Sequence, residues 1–228
     1  MTEEQGRETS LTGKSPHVGE ATARVERRLA AILAADVVGY SRLVERDERG
    51  TLERIKSFRR EVLEPLLVEY RGRLIKLTGD GALCEFASVV TAVACAIAIQ
   101  RGVEAREAEI AEKERIRFRI GINLGDVVSD EDGELYGDGV NIAVRLESIA
   151  YPGAIVVSGT AYDHLQGKLD CGLTLLGDCR LKNIERPVRV YRVETGVVTP
   201  PPSPPPMPDK PSIAVLPFTN MSGDPEQE

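Results

Sequence analysis

Leu29-Ala30-Ala31-Ile32-Leu33-Ala34-Ala35-Asp36-Val37-Val38 is an almost unbroken apolar run that ends on one carboxylate. No capping residue precedes it, and such a run reads as a central strand buried on both faces. The rest of the chain is arranged around it. Leu52, Ile55, Phe58, Val62, Leu63, Leu66, Leu67 and Tyr70 recur at helical spacing and predict an amphipathic helix that stops near Gly72. Arg73–Leu77 and Ala82–Phe86 flank Thr78-Gly79-Asp80-Gly81, which predicts a hairpin with Asp-Gly supplying the positive φ. Val89–Arg101 is Ala-rich and apolar on most sides, so it predicts a closely packed helix. Arg117–Ile122 predicts a strand, Val127–Val128 part of a following one, and Tyr136–Ile149 a third helix. Ala154–Val157 and Val188–Val193 complete the sheet. The order β-α-β-β-α-β is the split βαβ arrangement. The predicted class is α+β: a ferredoxin-like core with appended strands and helices, the helices lying over one face of the sheet.

Composition sets the outer limits. The 228 residues hold 36 acidic against 29 basic side chains, a formal charge of −7, which disfavours a general nucleic-acid binder. A phosphate ligand stays open, because a bound metal can supply local positive charge. The longest apolar stretch, Phe86–Ile99, is shorter than the roughly 20 residues of a membrane span. The start, MTEEQGRETS, lacks the apolar core of a signal peptide. These features predict a cytoplasmic protein with no membrane span. Cys84, Cys95, Cys171 and Cys179 show no C-x-x-C spacing, which predicts reduced thiols. Residues 1–24 read as a disordered leader and 25–195 as the folded domain. The proline-dense run PPPSPPPMPDKP lies in a linker, 196–211, and SIAVLPF opens a truncated second domain over 212–228.

Three short segments carry the chemistry. Asp36 ends the first strand and Asp80 sits at the hairpin tip, and in a split βαβ sheet those strands are neighbours. Two bare carboxylates about 4 Å apart repel by about 4 kcal/mol at an effective dielectric of 20. A divalent cation turns that cost into attraction, and hard oxygen ligands suit Mg²⁺ or Mn²⁺. Taken singly, Asp36 reads equally as a cap or turn residue and Asp80 as an ordinary hairpin Asp-Gly. Val38-Gly39-Tyr40-Ser41 leads from strand into helix, where backbone N–H groups can face a phosphate or simply turn the chain. Lys76 lies four residues before Asp80, a usual place for a surface cation. In the third segment, Glu134–Glu147, Asn141 and Arg145 are i, i+4 on one helix face. An amide that orients a hydroxyl beside a guanidinium that neutralises phosphate charge suits phosphoryl chemistry.

Together, in their order and spacing, these segments resemble the catalytic domain of class III nucleotidyl cyclases, over about Arg28 to Val193. The resemblance implies that Asp36 and Asp80 bind two Mg²⁺ or Mn²⁺ ions per site. It implies that Lys76 and Glu134 select the base, that Asn141 and Arg145 act in the transition state, and that Lys182 reaches the triphosphate. It further implies a head-to-tail homodimer whose metal aspartates come from one subunit and whose Lys, Asn and Arg come from the other. The implied reaction converts ATP to 3′,5′-cyclic AMP and pyrophosphate. Glu134 departs from the Asp or Thr usual in adenylyl cyclases, whereas Lys76 argues for ATP because guanine-selective relatives usually carry glutamate there. The alternative is a degenerate cyclase domain that binds nucleotide or dimerises as a regulatory module. A diguanylate cyclase shares the sheet topology, but its Gly-Gly-Asp/Glu-Glu-Phe hairpin is absent here. The segment from Ser212 resembles the opening of a TolB-like domain.

Overall fold

A computed structural model describes residues 26–130 and 133–195 of the chain. The expected leader, linker and second domain lie outside the described residues. β1 spans Glu26–Val37, followed by α1 (Tyr40–Arg46), α2 (Glu48–Phe58) and α3 (Glu64–Glu69). β2 (Arg73–Thr78) and β3 (Gly81–Phe86) form the hairpin, and α4 (Val89–Glu107) leads to β4 (Phe118–Ser129). β5 (Leu135–Tyr136), α5 (Asp138–Ile149), β6 (Ile155–Ser158), α6 (Gly159–Leu165), β7 (Leu173–Cys179) and β8 (Val188–Val193) complete the described fold.

One sheet holds every strand among the described residues, in the order β2-β3-β1-β4-β6-β8-β7, with β5 paired to β4. Its first four strands are antiparallel neighbours, and β3 lies between β2 and β1. That is the split βαβ core the sequence predicts. β1 is central because its small apolar residues can be covered from both sides. Ala31, Leu33, Ala35 and Val37 pack with α4 and α6, while Ala30, Ile32 and Ala34 pack with Ala143 of α5. Each large side chain so buried contributes about 1.5–3 kcal/mol.

The helices therefore cover both faces, and the expectation of helices on one face is corrected. A strand apolar on both sides leaves neither face for water, so α5 must close what α4 and α6 leave open. β4 is also longer than expected. The sequence breaks it after Ile122, yet it runs unbroken to Ser129 because Asn123 is satisfied from outside the ladder. The Asn123 side-chain amide donates to the Gly139 carbonyl at 3.0 Å and its oxygen accepts from the Thr160 hydroxyl at 3.2 Å.

The helical run predicted to stop near Gly72 is continuous from Glu48 to Glu69, with one widened turn at Arg59–Leu63. There the Glu64 N–H donates to the Arg59 carbonyl, just ahead of Pro65, which has no N–H to give the ladder. α4 outruns its expected end by six residues, anchored by buried Val103 and by Glu107, which accepts from the Ile116 N–H and pairs with Arg54. At the hairpin the positive φ, 67°, belongs to Gly79, so Gly79-Asp80 is the turn and not Asp80-Gly81. Gly81 is needed for closeness: a Cβ there would stand 2.9 Å from the Ala35 carbonyl of β1. α6 and β7 have no counterpart in the sequence reading. Among the described residues, no helix is long and apolar enough to cross a membrane.

α5 touches the sheet backbone to backbone. A Cβ at Gly121 of β4 would lie 2.2 Å from the Glu147 nitrogen and 2.4 Å from the Ala143 carbonyl. Neither atom can yield without moving the helix. Gly121→Ala is expected to lift α5 and to cost about 1–3 kcal/mol or more, read as a lower urea midpoint at unchanged m-value.

Candidate active site

The registers of β1 bring three charged groups to one end of the sheet. Asp36 pairs across the strands with Arg119 of β4, and Ala35 pairs with Ala82, which puts the Gly79-Asp80 turn beside Asp36. A Cβ at Gly81, the residue after Asp80, would lie 3.4 Å from Asp36 Oδ1, so the two acids sit together at this end of the sheet. Burial first, and the neighbouring Asp36 charge second, push the Asp80 carboxyl above its usual range. Two neighbouring carboxyl groups form a set of hard oxygens suited to a divalent cation. Among the described residues, no third His, Cys, Asp or Glu joins them as a possible ligand. Such a pair fits an ion that takes its remaining ligands from phosphate and water, as Mg²⁺ does.

Arg119 is a residue that the sequence reading missed. Its Nη2 donates to Asp36 Oδ2 at 2.9 Å, its Nε stands 2.5 Å from Glu147 Oε1, and its Nη1 donates to the Ser148 carbonyl at 3.3 Å. Glu147 is buried beneath α5, and its contact with Arg119 is an ion pair without hydrogen-bond alignment. Burial therefore outweighs the neighbouring cation and pushes the Glu147 carboxyl up to about 7. A signal for this existed: Glu147 falls on the same helical face as Gly139, Ala143 and Leu146, where a carboxylate needs a partner.

Lys76 and Glu134 also meet. The Lys76 Nζ donates to Glu134 Oε1 at 2.8 Å, and the Tyr136 hydroxyl donates to Glu134 Oε2 at 2.9 Å. The Lys76 hydrogen bond is the main cause that holds the Glu134 carboxyl below its usual range, while Glu134 pushes the Tyr136 phenol up to about 12. The Glu134 N–H donates to Asp130 Oδ1 at 2.8 Å, which ties Glu134 to the residue that follows β4.

Asn141 and Arg145 are not brought to the aspartates of their own chain. α5 buries Gly139, Ala143, Leu146 and Glu147 against the sheet, so positions 141 and 145 fall on its outward face. Neither side chain has a partner among the described residues. Lys182 is exposed between β7 and β8. The loop after it, Asn183 to Val188, faces Asp138 and Ile142 of α5 across a cleft of about 560 Å³. Just past Asp36 at the same end of β1, Gly39 has φ 66° and starts α1 with no side chain capping its first N–H groups, while Arg42 folds back over it.

Residues 26–195 match the family described as Adenylate and Guanylate cyclase catalytic domain. The chain belongs to that family. It is 48% identical over 211 residues to the Rhizobium meliloti protein named "Putative adenylate cyclase 3", covering 89% of this chain and 35% of that protein. The chain thus spans about a third of that relative's length. Among solved structures, an adenylate/guanylate cyclase/hydrolase from Silicibacter pomeroyi matches with TM-score 0.68 and 47% identity, over 74% of this chain and 98% of that one. The adenylyl cyclase CyaB from P. aeruginosa shares the fold, with TM-score 0.66 and 23% identity over 74% of this chain and 95% of its own. The fold is that of a class III cyclase catalytic domain.

The buried carboxyl of Glu147 makes this cyclase domain sensitive to pH. The folded protein holds the proton up to about pH 7, whereas an unshifted glutamate releases it near 4.5. Folding takes up a proton within that window, so stability falls as pH rises through it, by up to about 3 kcal/mol. Urea denaturation in EDTA at pH 5 and pH 7.5 is expected to show this loss, and Glu147→Gln is expected to abolish the Glu147 part of it.

Proposed function

We propose that the chain is an adenylate cyclase that converts ATP to 3′,5′-cyclic AMP and pyrophosphate, at sites shared between two copies in a head-to-tail homodimer. The observation that carries the reading is the Asp36–Asp80 pair: two carboxyl groups held together by strand register, at a cost that a cation would reverse. The outward placement of Asn141 and Arg145 supports sharing, because a helix face turned from its own sheet is free to serve the aspartates of another copy.

On this reading, Asp36 and Asp80 would hold two Mg²⁺ or Mn²⁺ ions. Ions bound there supply positive charge that lowers the pKa of the ribose 3′-hydroxyl and neutralises the triphosphate. Asn141 of the second copy fixes the ribose so that its 3′-oxygen faces the α-phosphorus in line. As the 3′-hydroxyl gives up its proton, the new O–P bond forms and the bond to the pyrophosphate oxygen breaks. Arg145 stabilises the charge that builds on the α-phosphate oxygens, and Lys182 with the N–H groups of Val38–Ser41 receives the outer phosphates. No covalent nucleophile is required, because the transfer needs mostly positioning and charge stabilisation. On this reading the domain works in the cytoplasm, where ATP is abundant.

Base choice rests on Lys76 and Glu134. The edge of adenine presents an acceptor ring nitrogen beside a donor amino group. A lysine donor 2.8 Å from a glutamate acceptor offers the complementary pair. The Tyr136 hydroxyl holds Glu134 in place and offsets its extra methylene relative to aspartate.

Purified protein given ATP or GTP with Mn²⁺ is expected to form cyclic AMP in preference to cyclic GMP. A dimer that binds ATP and never turns over would instead identify a regulatory module. Arg145→Ala is expected to lower kcat on the order of 10²–10³-fold. Mixing Asp36→Ala chains with Arg145→Ala chains is expected to restore part of the activity each lacks, through the one intact site of a mixed dimer. Absence of recovery with mixed dimers shown to form would rule out a shared site. Lys76→Glu is expected to reduce the ratio of ATP to GTP kcat/KM at least about tenfold, since an unpaired polar group faces the wrong base edge.

A further inference from the structure

Arg73 and Lys76 stand three residues apart on β2, and in a straight strand such residues point to opposite faces of the sheet. Here they share one face. Arg73 is paired with Glu85 and Leu74 with Cys84, but the register then shifts and Lys76 is paired with Leu83, so Ile75 is the extra residue of a bulge. Leu74 packs on the α4 side with Cys84, while Ile75 packs on the α5 side with Leu83. The bulge thereby turns Lys76 onto the α5 side, where its Nζ meets Glu134 at 2.8 Å. Before the bulge, Glu85 is 8% exposed and clamped from both neighbouring strands. Arg28 of β1 donates to its Oε1, and Arg73 donates to its Oε2 from Nη2 at 2.8 Å and from Nε at 3.1 Å. Those bonds leave Arg73 Nη1 for a second neighbour: a Cβ at Gly133 would stand 3.6 Å from it. Gly133 has φ 79°, and its N–H donates to the Asp130 carbonyl at 3.2 Å. One guanidinium thus spans from a buried anchor on β3 to the backbone that leads into Glu134.

We propose that Arg73, anchored by Glu85, is a positioning residue for base choice: it holds the bulge of β2 and the Gly133–Glu134 backbone together, and so sets the spacing between the Lys76 donor and the Glu134 acceptor. The proposal rests on reading Lys76 and Glu134 as the pair that meets the base. A donor and an acceptor recognise a base edge only when their separation matches it, and these two come from different parts of the chain. β2 is an edge strand, paired only with β3, so its position depends on few contacts. Straightening the bulge sets two demands against each other, because either Arg73 leaves Glu85 or Lys76 leaves Glu134. A buried carboxylate is costly without its cations, so Glu85 keeps Arg73 in place and the bulge is retained.

The test is steady-state kinetics of the full chain with ATP and with GTP in Mn²⁺, beside amide exchange of the nucleotide-free protein. Arg73→Ala is expected to lower kcat/KM for ATP about fivefold, mostly through KM, and to change that for GTP by less than about twofold. Amide exchange across 133–136 is expected to quicken in the same variant. Arg28→Gln takes an equivalent charge from Glu85 on the β1 side and leaves β2 alone. It is expected to lower the urea midpoint while keeping both the ATP to GTP ratio and the exchange rate across 133–136. A merely structural role for the cluster predicts the same changes in both variants and an equal loss with both nucleotides, and either result overturns the proposal. So does a folded Arg73→Ala with an unchanged ratio or unchanged exchange. Should that variant fail to fold, Arg73→Lys keeps a charge for Glu85 but has one ammonium to divide between two neighbours, and its ratio and exchange are read in the same way. Lys76→Glu tells the two failures apart: if it leaves the ratio unchanged, the base-choice reading fails and takes the specificity role of Arg73 with it, whereas exchange across 133–136 still reports whether Arg73 holds that backbone.

Discussion

The pairing of β1 with β3 on one side and β4 on the other fixes everything that the site contains. One residue of slip in either ladder would turn Asp36 to the α4 face and leave Asp80 beside an alanine. Register is held by burial on both faces, because Ala31, Leu33 and Ala35 fit only the α4 side and Ala30, Ile32 and Ala34 only the α5 side. The apolar alternation that stabilises the sheet is therefore also what places a carboxylate opposite Arg119 and next to a second carboxylate. Stability and site geometry are one constraint here.

α5 is the second element under tension between packing and chemistry. Its sheet-facing positions must be small, and Gly139 and Ala143 rest almost directly on Gly125 and Gly121 of β4. That closeness leaves no room for a long side chain between helix and strand except at the end, where Glu147 and Arg119 fill the gap as an ion pair. A buried charge pair of this kind adds little net stability once desolvation is counted.

Much of this was legible in the sequence. The uninterrupted apolar run of β1, the hairpin around Asp80 and the i, i+4 pair on α5 each have a local signature, and their order predicts the split βαβ core. The sequence itself also argued against helices on a single face, since a strand buried on both sides needs two covers. What escaped reading depends on partners distant in the chain. Asn123 looks like a strand breaker until Gly139 and Thr160 satisfy its amide. β7 is an edge strand with Leu175 and Leu176 exposed and a bulge before Gly177, so it lacks clean alternation. Arg119 looks like one more surface charge on a basic strand, and only the cross-strand register with Asp36 gives it a role.

On the proposed reading, charge placement favours two copies acting together. The acid pair turned toward a triphosphate repels it unless cations intervene, while Arg145, unpartnered among the described residues, and the exposed Lys182 attract it. Each half is thus electrostatically incomplete in the opposite sense. On the proposed reading, apposing two copies head to tail completes both halves at once, and the nucleotide with its cations becomes the layer that makes the contact favourable. Nucleotide and Mn²⁺ together should then promote association more than either alone, because neither by itself balances both faces.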